Sequence, residues 1–306
     1  MKRIVLTGPT GTVGIALIQY CIKQDVEVYA FCRKHSKRAE RIPKHELVHV
    51  ISCDLDELSA FDVKSIPACD VFYHFGWAAT IGDKRNDMTL QLDNVRYTID
   101  AVRLAYRLGC ETFIGAGSQA EYGRYEGNLN ATVPTFPENG YGIAKLCAGQ
   151  MSRIECQKYG ICHIWTRILS VYGPYDSDKT MITMTIAKLL KGEIPLLTKG
   201  EQKWDYLYSE DAARAMFLLG EKGQDSQIYC LGSGQVRELK YYITTIRDYI
   251  DSSAKLGFGD IPYGEKQVMY LCADIKDLTR DTGFQPEITF EDGIKKTIEW
   301  MRTEEK

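Results

Sequence analysis

The first fourteen residues restrict the fold more than any other stretch of the chain. Arg3–Thr7 is a short apolar run that reads as a buried strand, and it passes directly into Thr7-Gly8-Pro9-Thr10-Gly11-Thr12-Val13-Gly14. From Val13 onward apolar residues recur at helical spacing as far as Lys23, so the glycine loop joins a strand to a helix. Such a junction brings backbone N–H groups at the positive end of a helix up to a pyrophosphate. Gly8 is expected to permit the turn, Gly11 the close approach, and Gly14 tight packing of helix on strand. Thr10, Thr12 and Val13 complete the cradle. Three glycines alone are often only turn residues; the strand before and the helix after make this a dinucleotide site.

The alternation continues along the chain. Strands are expected at 26–32, 47–53, 71–75, 112–115 and 162–168, with helices near 87–108 and 141–159. This repetition predicts an α/β fold with a Rossmann-type doubly wound parallel sheet. After Ser170 the rhythm loosens. Helices are expected at 180–191, 238–250, 274–281 and 290–301, short strands at 194–198 and 227–231, and a helix start at Ser209-Glu210-Asp211. The expected organisation is a dinucleotide-binding domain over 1–170, with 205–235 returning to it. Segments 171–204 and 236–306 then form a smaller interleaved substrate domain.

Composition excludes several other classes. A formal charge of -3 gives no general attraction to nucleic acid or an anionic membrane. None of the ten cysteines forms a Cys-x-x-Cys pair, and Cys32, Cys53, Cys162 and Cys230 lie in apolar runs, as in a reducing compartment. His35, His45, His49, His74 and His163 never fall at metal-ligand spacing, so no metal site is expected. Ile4-Val5-Leu6 is too short for a signal peptide, and no run reaches transmembrane length, so the cytoplasm is the expected setting.

The end of the second strand bears on cofactor choice. An NAD site usually carries an acid there to hold the ribose 2′-hydroxyl, but this chain has Cys32, Arg33 and Lys34 within Arg33-Lys34-His35-Ser36-Lys37-Arg38. Arg33 and Lys34 suit a 2′-phosphate, and NADP(H) is expected ahead of NAD(H). One charge-assisted hydrogen bond, roughly 1.5–3 kcal/mol, gives about one to two decades of preference. Asp54, followed by Leu55, reads either as an acceptor for an adenine amino group or as a helix N-cap.

Tyr141-Gly-Ile-Ala-Lys145 places a phenol and an ammonium at i and i+4 on one helix face. A neighbouring cation lowers a tyrosine pKa, which suits proton exchange with a substrate oxygen. The spacing also occurs at Tyr175 and Lys179, but in a loop expected after Gly173-Pro174, and there it reads as a chance match. Ser118, in the glycine-rich segment after the fifth strand, is placed to steady a reacting oxygen.

Together these residues resemble the extended short-chain dehydrogenases/reductases, specifically the NAD-dependent epimerase/dehydratase group that acts on nucleotide sugars. The resemblance runs through the glycine loop, Asp54-Leu55, Tyr73-His-Phe-Gly-Trp77, Asn94-Val-Arg-Tyr-Thr98, Ser118, Tyr141/Lys145, 167–174 and 204–211. It implies hydride transfer at a sugar carbon with Ser118, Tyr141 and Lys145 as the triad. Phe75, Gly76, Trp77 and Asn94 would lie along the cofactor, Ile168 and Leu169 near the nicotinamide, and Gln119, Ser170 and Trp204 near the substrate. A homodimer through a four-helix bundle is the assembly implied.

Departures from the group's pattern separate its activities. Dehydratases carry Asp-Glu after the catalytic hydroxyl residue, where this chain has Gln119 and Ala120; Glu121, one position on, should point elsewhere. Ser170 stands where Asn is frequent, and Trp204 where an Arg commonly meets the substrate diphosphate. Trp204 reads as a stacking residue or as interface packing. The resulting expectation is an NADPH-dependent 4-ketoreductase of a nucleotide-linked hexose. An NAD-retaining 4-epimerase is the nearest rival, and a non-catalytic NADP-sensing protein is a more distant one.

Overall fold

The apolar runs become strands because helices cover both faces of the sheet they build. The computed structural model describes residues 1–304; positions 305–306 of the expected substrate segment lie outside the described residues. Seven strands, β1 (Arg3–Thr7), β2 (Glu27–Cys32), β3 (Val48–Ser52), β4 (Val71–His74), β5 (Thr112–Ser118), β6 (Cys162–Ile168) and β7 (Gln227–Leu231), pair in parallel in the order β7-β6-β5-β4-β1-β2-β3. The order reverses between β1 and β4, so the crevice beyond their carboxyl ends is where ligands bind in such sheets.

Helix α1 (Thr12–Lys23) closes one face and α2 (Met88–Arg107) with α3 (Gly140–Tyr159) the other. The region after Ser170 adds α4 (Met181–Leu190), α5 (Ser209–Lys222), α6 (Leu239–Ile250), α7 (Lys276–Thr282) and α8 (Phe290–Glu304). Of these, α5 packs on α1 under the sheet, whereas α4, α6 and α8 enclose a separate core around Tyr172, Ile186, Tyr208, Ile246 and Ile294. Asp205 ties the parts together. Its buried carboxylate accepts from the N–H groups of Ser233 at 2.7 Å, Gly234 at 3.0 Å and Ala273 at 3.0 Å.

Two expectations are corrected. The strand expected at 194–198 shrinks to Leu196–Leu197. More consequentially, β5 does not stop at Gly115 but runs to Ser118, which is therefore a strand residue. Gly115 and Gly117 look like loop residues in sequence, yet both face the Trp165 indole. A Cβ at Gly115 would lie 2.2 Å from Trp165 Cζ3, and one at Gly117 would lie 2.3 Å from Nε1. The glycines are there to seat a ring, not to turn the chain.

All ten cysteines are free, and eight are buried. Among the described residues no cluster of three metal-ligating side chains exists, and no helix is long and apolar enough to cross a membrane.

His163 on β6 is buried, with Nε2 2.9 Å from Ser152 Oγ, and burial pushes its pKa down to about 4. A histidine depressed when folded binds its proton first in the unfolded chain, so its contribution is present above about pH 6.5 and lost on acidification toward pH 4. Between pH 7 and pH 5 the wild type should lose about 2 kcal/mol relative to His163→Gln, read from denaturant midpoints at each pH. The comparison with the variant removes the opposing effect of Asp176, raised by burial to about 6.

Candidate active site

The glycine loop forms as read. Gly8 has φ +72°, and a Cβ there would lie 2.7 Å from the Phe75 carbonyl carbon, so only glycine fits where β1 turns against the end of β4. A Cβ on Gly14 would lie 2.5 Å from Gly8 O, which keeps α1 tight on the loop. Above Gly11 there is open space, its nearest neighbour at 4.0 Å. Gly11 caps α1 without a side-chain bond, and no acid stands in the first turn. Uncapped N–H groups of Thr12, Val13 and Gly14 beneath an open space fit a pyrophosphate. Thr7 Oγ1 braces this loop, accepting from Gly76 N–H at 3.0 Å and lying 2.9 Å from His74 Nδ1; burial pushes His74 down to about 3, so it stays neutral.

A cavity of about 770 Å³ continues from Gly8 and Thr10 past Arg33, Asp54, Leu55, Gly76 and Trp77. Arg33 is exposed at its wall. The neighbouring cation is already committed, because Lys34 pairs with Glu57. Of the two readings of Asp54, the cap is the one present: it forms a capping box with Glu57 and accepts from Lys34 N–H at 2.7 Å. Asn94 is buried and clamps Ala78, accepting from its N–H at 2.9 Å and donating to its carbonyl at 3.0 Å. It shapes the cavity wall from behind. Phe75 packs edge-on against Tyr73.

The triad residues come from two elements. Ser118 ends β5; Tyr141 and Lys145 occupy successive turns of α3, whose start is set by Asn139 Oδ1 accepting from Gly142 N–H at 2.9 Å. Helix and strand approach closely because Trp165 lies between glycines. Gly149 of α3 is as bare toward the indole as Gly115 and Gly117 of β5, a Cβ there meeting it at 2.7 Å. Lys145 is buried and donates from Nζ to Ala116 O at 2.5 Å, with Nζ 3.7 Å from the centre of the Trp77 ring. Trp77 also meets Tyr141 edge-to-face at 6.1 Å.

The electrostatics correct the sequence reading. Burial raises the Tyr141 pKa, opposed by hydrogen bonding from Ser118 and by the charge of Arg85. Burial pushes Lys145 down to about 7. The expected lowering of Tyr141 by Lys145 is overturned because burial weakens both charged forms and Nζ stays 5.8 Å from the phenol ring centre.

Glu121 does point away from the site, though not because the segment is extended. Gln119–Glu121 is a 3₁₀ turn that rotates Glu121 into the core. There its carboxylate accepts from Ser118 N–H at 2.8 Å, Trp165 Nε1 at 3.0 Å and Arg167 Nε at 2.7 Å. Gln119 stands half-buried at the head of the turn.

A second cavity, of about 680 Å³, opens past Leu169 among residues of α4, α6 and the strand pairs. The two sequence departures meet in its wall: Trp204 Nε1 donates to Ser170 Oγ at 2.7 Å. Ile168 closes β6 beside it and packs into the sheet core. The alternative Tyr175/Lys179 pair is structural, with Tyr175 packed on Trp300 at 4.9 Å.

The sequence profile of the NAD dependent epimerase/dehydratase family matches residues 4–232. The chain belongs to that family. It is 30% identical over 193 residues to dTDP-glucose 4,6-dehydratase of Shigella flexneri, covering 57% of this chain and 52% of that protein, so it spans about half the length of that relative. It is 26% identical over 319 residues to dTDP-4-dehydro-6-deoxyglucose reductase of Escherichia coli, covering 98% and 97%. In fold it is similar to UDP-N-acetylglucosamine 4-epimerase from Methanobrevibacter ruminantium M1, solved in complex with UDP-N-acetylmuramic acid. The TM-score is 0.89 at 21% identity, over 99% of each chain.

The Glu121–Arg167 pair makes a direct test of how the site is held. Glu121→Gln leaves the buried guanidinium without its counter-charge and should cost about 3–5 kcal/mol of unfolding free energy, measured by denaturant unfolding. An exposed acid such as Glu126 changed to Gln should cost under about 0.5 kcal/mol.

Proposed function

We propose that the protein is an NAD(P)-dependent oxidoreductase of a nucleotide sugar, and that it reduces a 4-keto-6-deoxyhexose nucleotide with NADPH. The observation that carries this is the meeting of Ser118 with Tyr141, one turn before Lys145, with no free acid beside them. Gln119 and Ala120 follow Ser118, and the nearest carboxylate, Glu121, is bound by three core donors. A 4,6-dehydration needs an acid and a base there, and the site offers neither. Relatives matched along nearly the whole chain include both a reductase and 4,6-dehydratases, so the choice rests on the site residues.

In this mechanism the nicotinamide cofactor supplies the hydride. Tyr141 donates its phenolic proton to the oxygen of the developing alkoxide. A pKa held up by burial keeps the phenol protonated near neutrality, as an acid must be before reaction. Ser118 hydrogen-bonds the same oxygen and orients it. Lys145, on the next turn, would hold the nicotinamide ribose. Gly11 with the head of α1 would hold the pyrophosphate, and Arg33 would bind a 2′-phosphate at the open wall of the cavity. The substrate nucleotide occupies the second cavity, lined by Ser170 and Trp204.

The rival reading is a 4-epimerase that retains NAD, favoured by the fold likeness to an epimerase; it uses the same triad. Assaying dTDP-, UDP-, CDP- and GDP-4-keto-6-deoxyhexoses for NADPH oxidation tests the choice. One of the panel should be turned over, and Tyr141→Phe should lower kcat by about 10²–10⁴-fold. Full activity in Tyr141→Phe defeats the assignment.

The protein is further proposed to be a cytoplasmic homodimer, divided into a cofactor-binding part (1–170 with 205–235) and a substrate-binding part (171–204 with 236–306). Exposed Met88 and Leu92 on α2 and Ile143, Met151 and Ile154 on α3 form an apolar face on adjacent helices, which suits a four-helix bundle. Light scattering should give a dimer for the wild type and a monomer for Leu92→Glu/Ile154→Glu; a monomeric wild type removes the proposal.

A further inference from the structure

Arg85 is the odd residue in the segment that follows β4. From Thr80 to Thr89 every other residue is exposed, and Arg85 alone is drawn in. Its guanidinium carbon lies 4.7 Å from the centre of the Tyr141 ring, and its Nε is buried with no hydrogen-bond partner. The segment is fastened to α3, which carries Tyr141, and to α2. Asn86 Oδ1 accepts from Gly140 N–H at 2.9 Å, and Gln91 Nε2 donates to the Ala79 and Lys84 carbonyls, each at 3.3 Å. A buried guanidinium nitrogen without a partner is costly. The π face of the phenol is the contact that offsets the cost.

We propose that Arg85 is a positioning residue for proton transfer, its fixed charge above the ring making Tyr141 the stronger acid that the reaction needs. The groups facing Tyr141 come from every element around it: Arg85 from this segment, Lys145 from α3, Ser118 from the end of β5, and Glu121 from the turn after it. The two cations differ in kind. Lys145 is buried, and burial pushes its pKa down to about 7, so its charge is readily lost near neutrality. A guanidinium cannot be deprotonated in a protein. Burial and Glu121 work against ionisation of Tyr141, and Arg85 works for it. A stronger phenol donates its proton to the developing alkoxide faster and leaves a phenolate of lower energy. The segment 80–89 would then be part of the machinery rather than an idle connection.

The inference rests on the reading of Tyr141 as proton donor, so the test keeps the two apart. The variants are Arg85→Met, which keeps bulk and removes charge, Arg85→Lys, which restores charge, and Tyr141→Phe. The first measurement is the pH profile of kcat for NADPH-dependent reduction of the panel substrate turned over by the wild type, from about pH 6 to about pH 11.5, so that the limb set by the raised Tyr141 is covered. Arg85→Met should lower kcat about tenfold near neutrality and move the alkaline limb up by about one pH unit, and Arg85→Lys should recover most of both. NADPH affinity and thermal midpoint should stay close to wild type in both variants. The second measurement needs no substrate. It is the tyrosinate absorbance titration of wild type minus Tyr141→Phe, compared with Arg85→Met minus Arg85→Met/Tyr141→Phe. The Tyr141 midpoint should rise when the charge is removed. An unmoved alkaline limb with the loss confined to KM, or an unchanged Tyr141 midpoint, overturns the proposal. Activity retained in Tyr141→Phe overturns the proton-donor reading instead, and the absorbance titration still decides whether Arg85 acts on the phenol.

Discussion

The Trp165 indole, seated in a slot of glycines, is the contact on which the site depends. Gly115 and Gly117 strip one face of β5, Gly149 strips the facing side of α3, and the ring fills the gap between them. With side chains at those positions the helix would stand farther from the sheet, and Tyr141 would no longer lie over the end of β5. The indole N–H then finds Glu121, which also holds the Ser118 backbone and Arg167. One packed ring and one buried carboxylate therefore fix the strand end, the turn after it and the neighbouring strand together. The one carboxylate beside Ser118 is consumed in building the scaffold.

Much of this was legible in the sequence because the signals are local. The glycine loop lies between a strand and a helix adjacent in sequence, and the Tyr141/Lys145 spacing is a property of one helix. Sheet order follows from repeated strand–helix alternation. What the sequence hid depends on partners far apart in the chain. Gly115 and Gly117 read as a loop because nothing nearby announces that Trp165 will lie against them. Ser170 and Trp204 read as two unrelated departures, yet the parallel pairing of Tyr206–Tyr208 with Ser170–Tyr172 brings them within hydrogen-bond distance. Arg85 sits in Asp83-Lys84-Arg85-Asn86, a run with every mark of a solvated loop, and only its burial against Tyr141 separates it from its neighbours. The lowering of Tyr141 by Lys145 failed for a related reason: spacing gives proximity but not desolvation, and desolvation dominates here.

The two cavities differ in character, and the difference bears on chemistry. The one beside the glycine loop carries Arg33 at its wall, with Asp54, Lys34 and Glu57 satisfying one another. Exposed Arg33 and exposed Asp56 both stand in that wall. The other is lined largely by apolar side chains, with Trp204 and Ser170 bonded to each other in its wall. On the proposed reading, cofactor choice rests on Arg33 at the first wall, and substrate choice on shape and a few polar contacts in the second.

The central claim, net reduction by a dissociable NADPH, is tested most directly by the nucleotide the protein holds and prefers. The purified protein should release no tightly retained NAD(H). Titration should show NADPH bound about ten- to a hundredfold more tightly than NADH, an advantage that Arg33→Ala removes. Tightly held NAD(H) with no response to NADPH would contradict the account and leave the epimerase reading in its place.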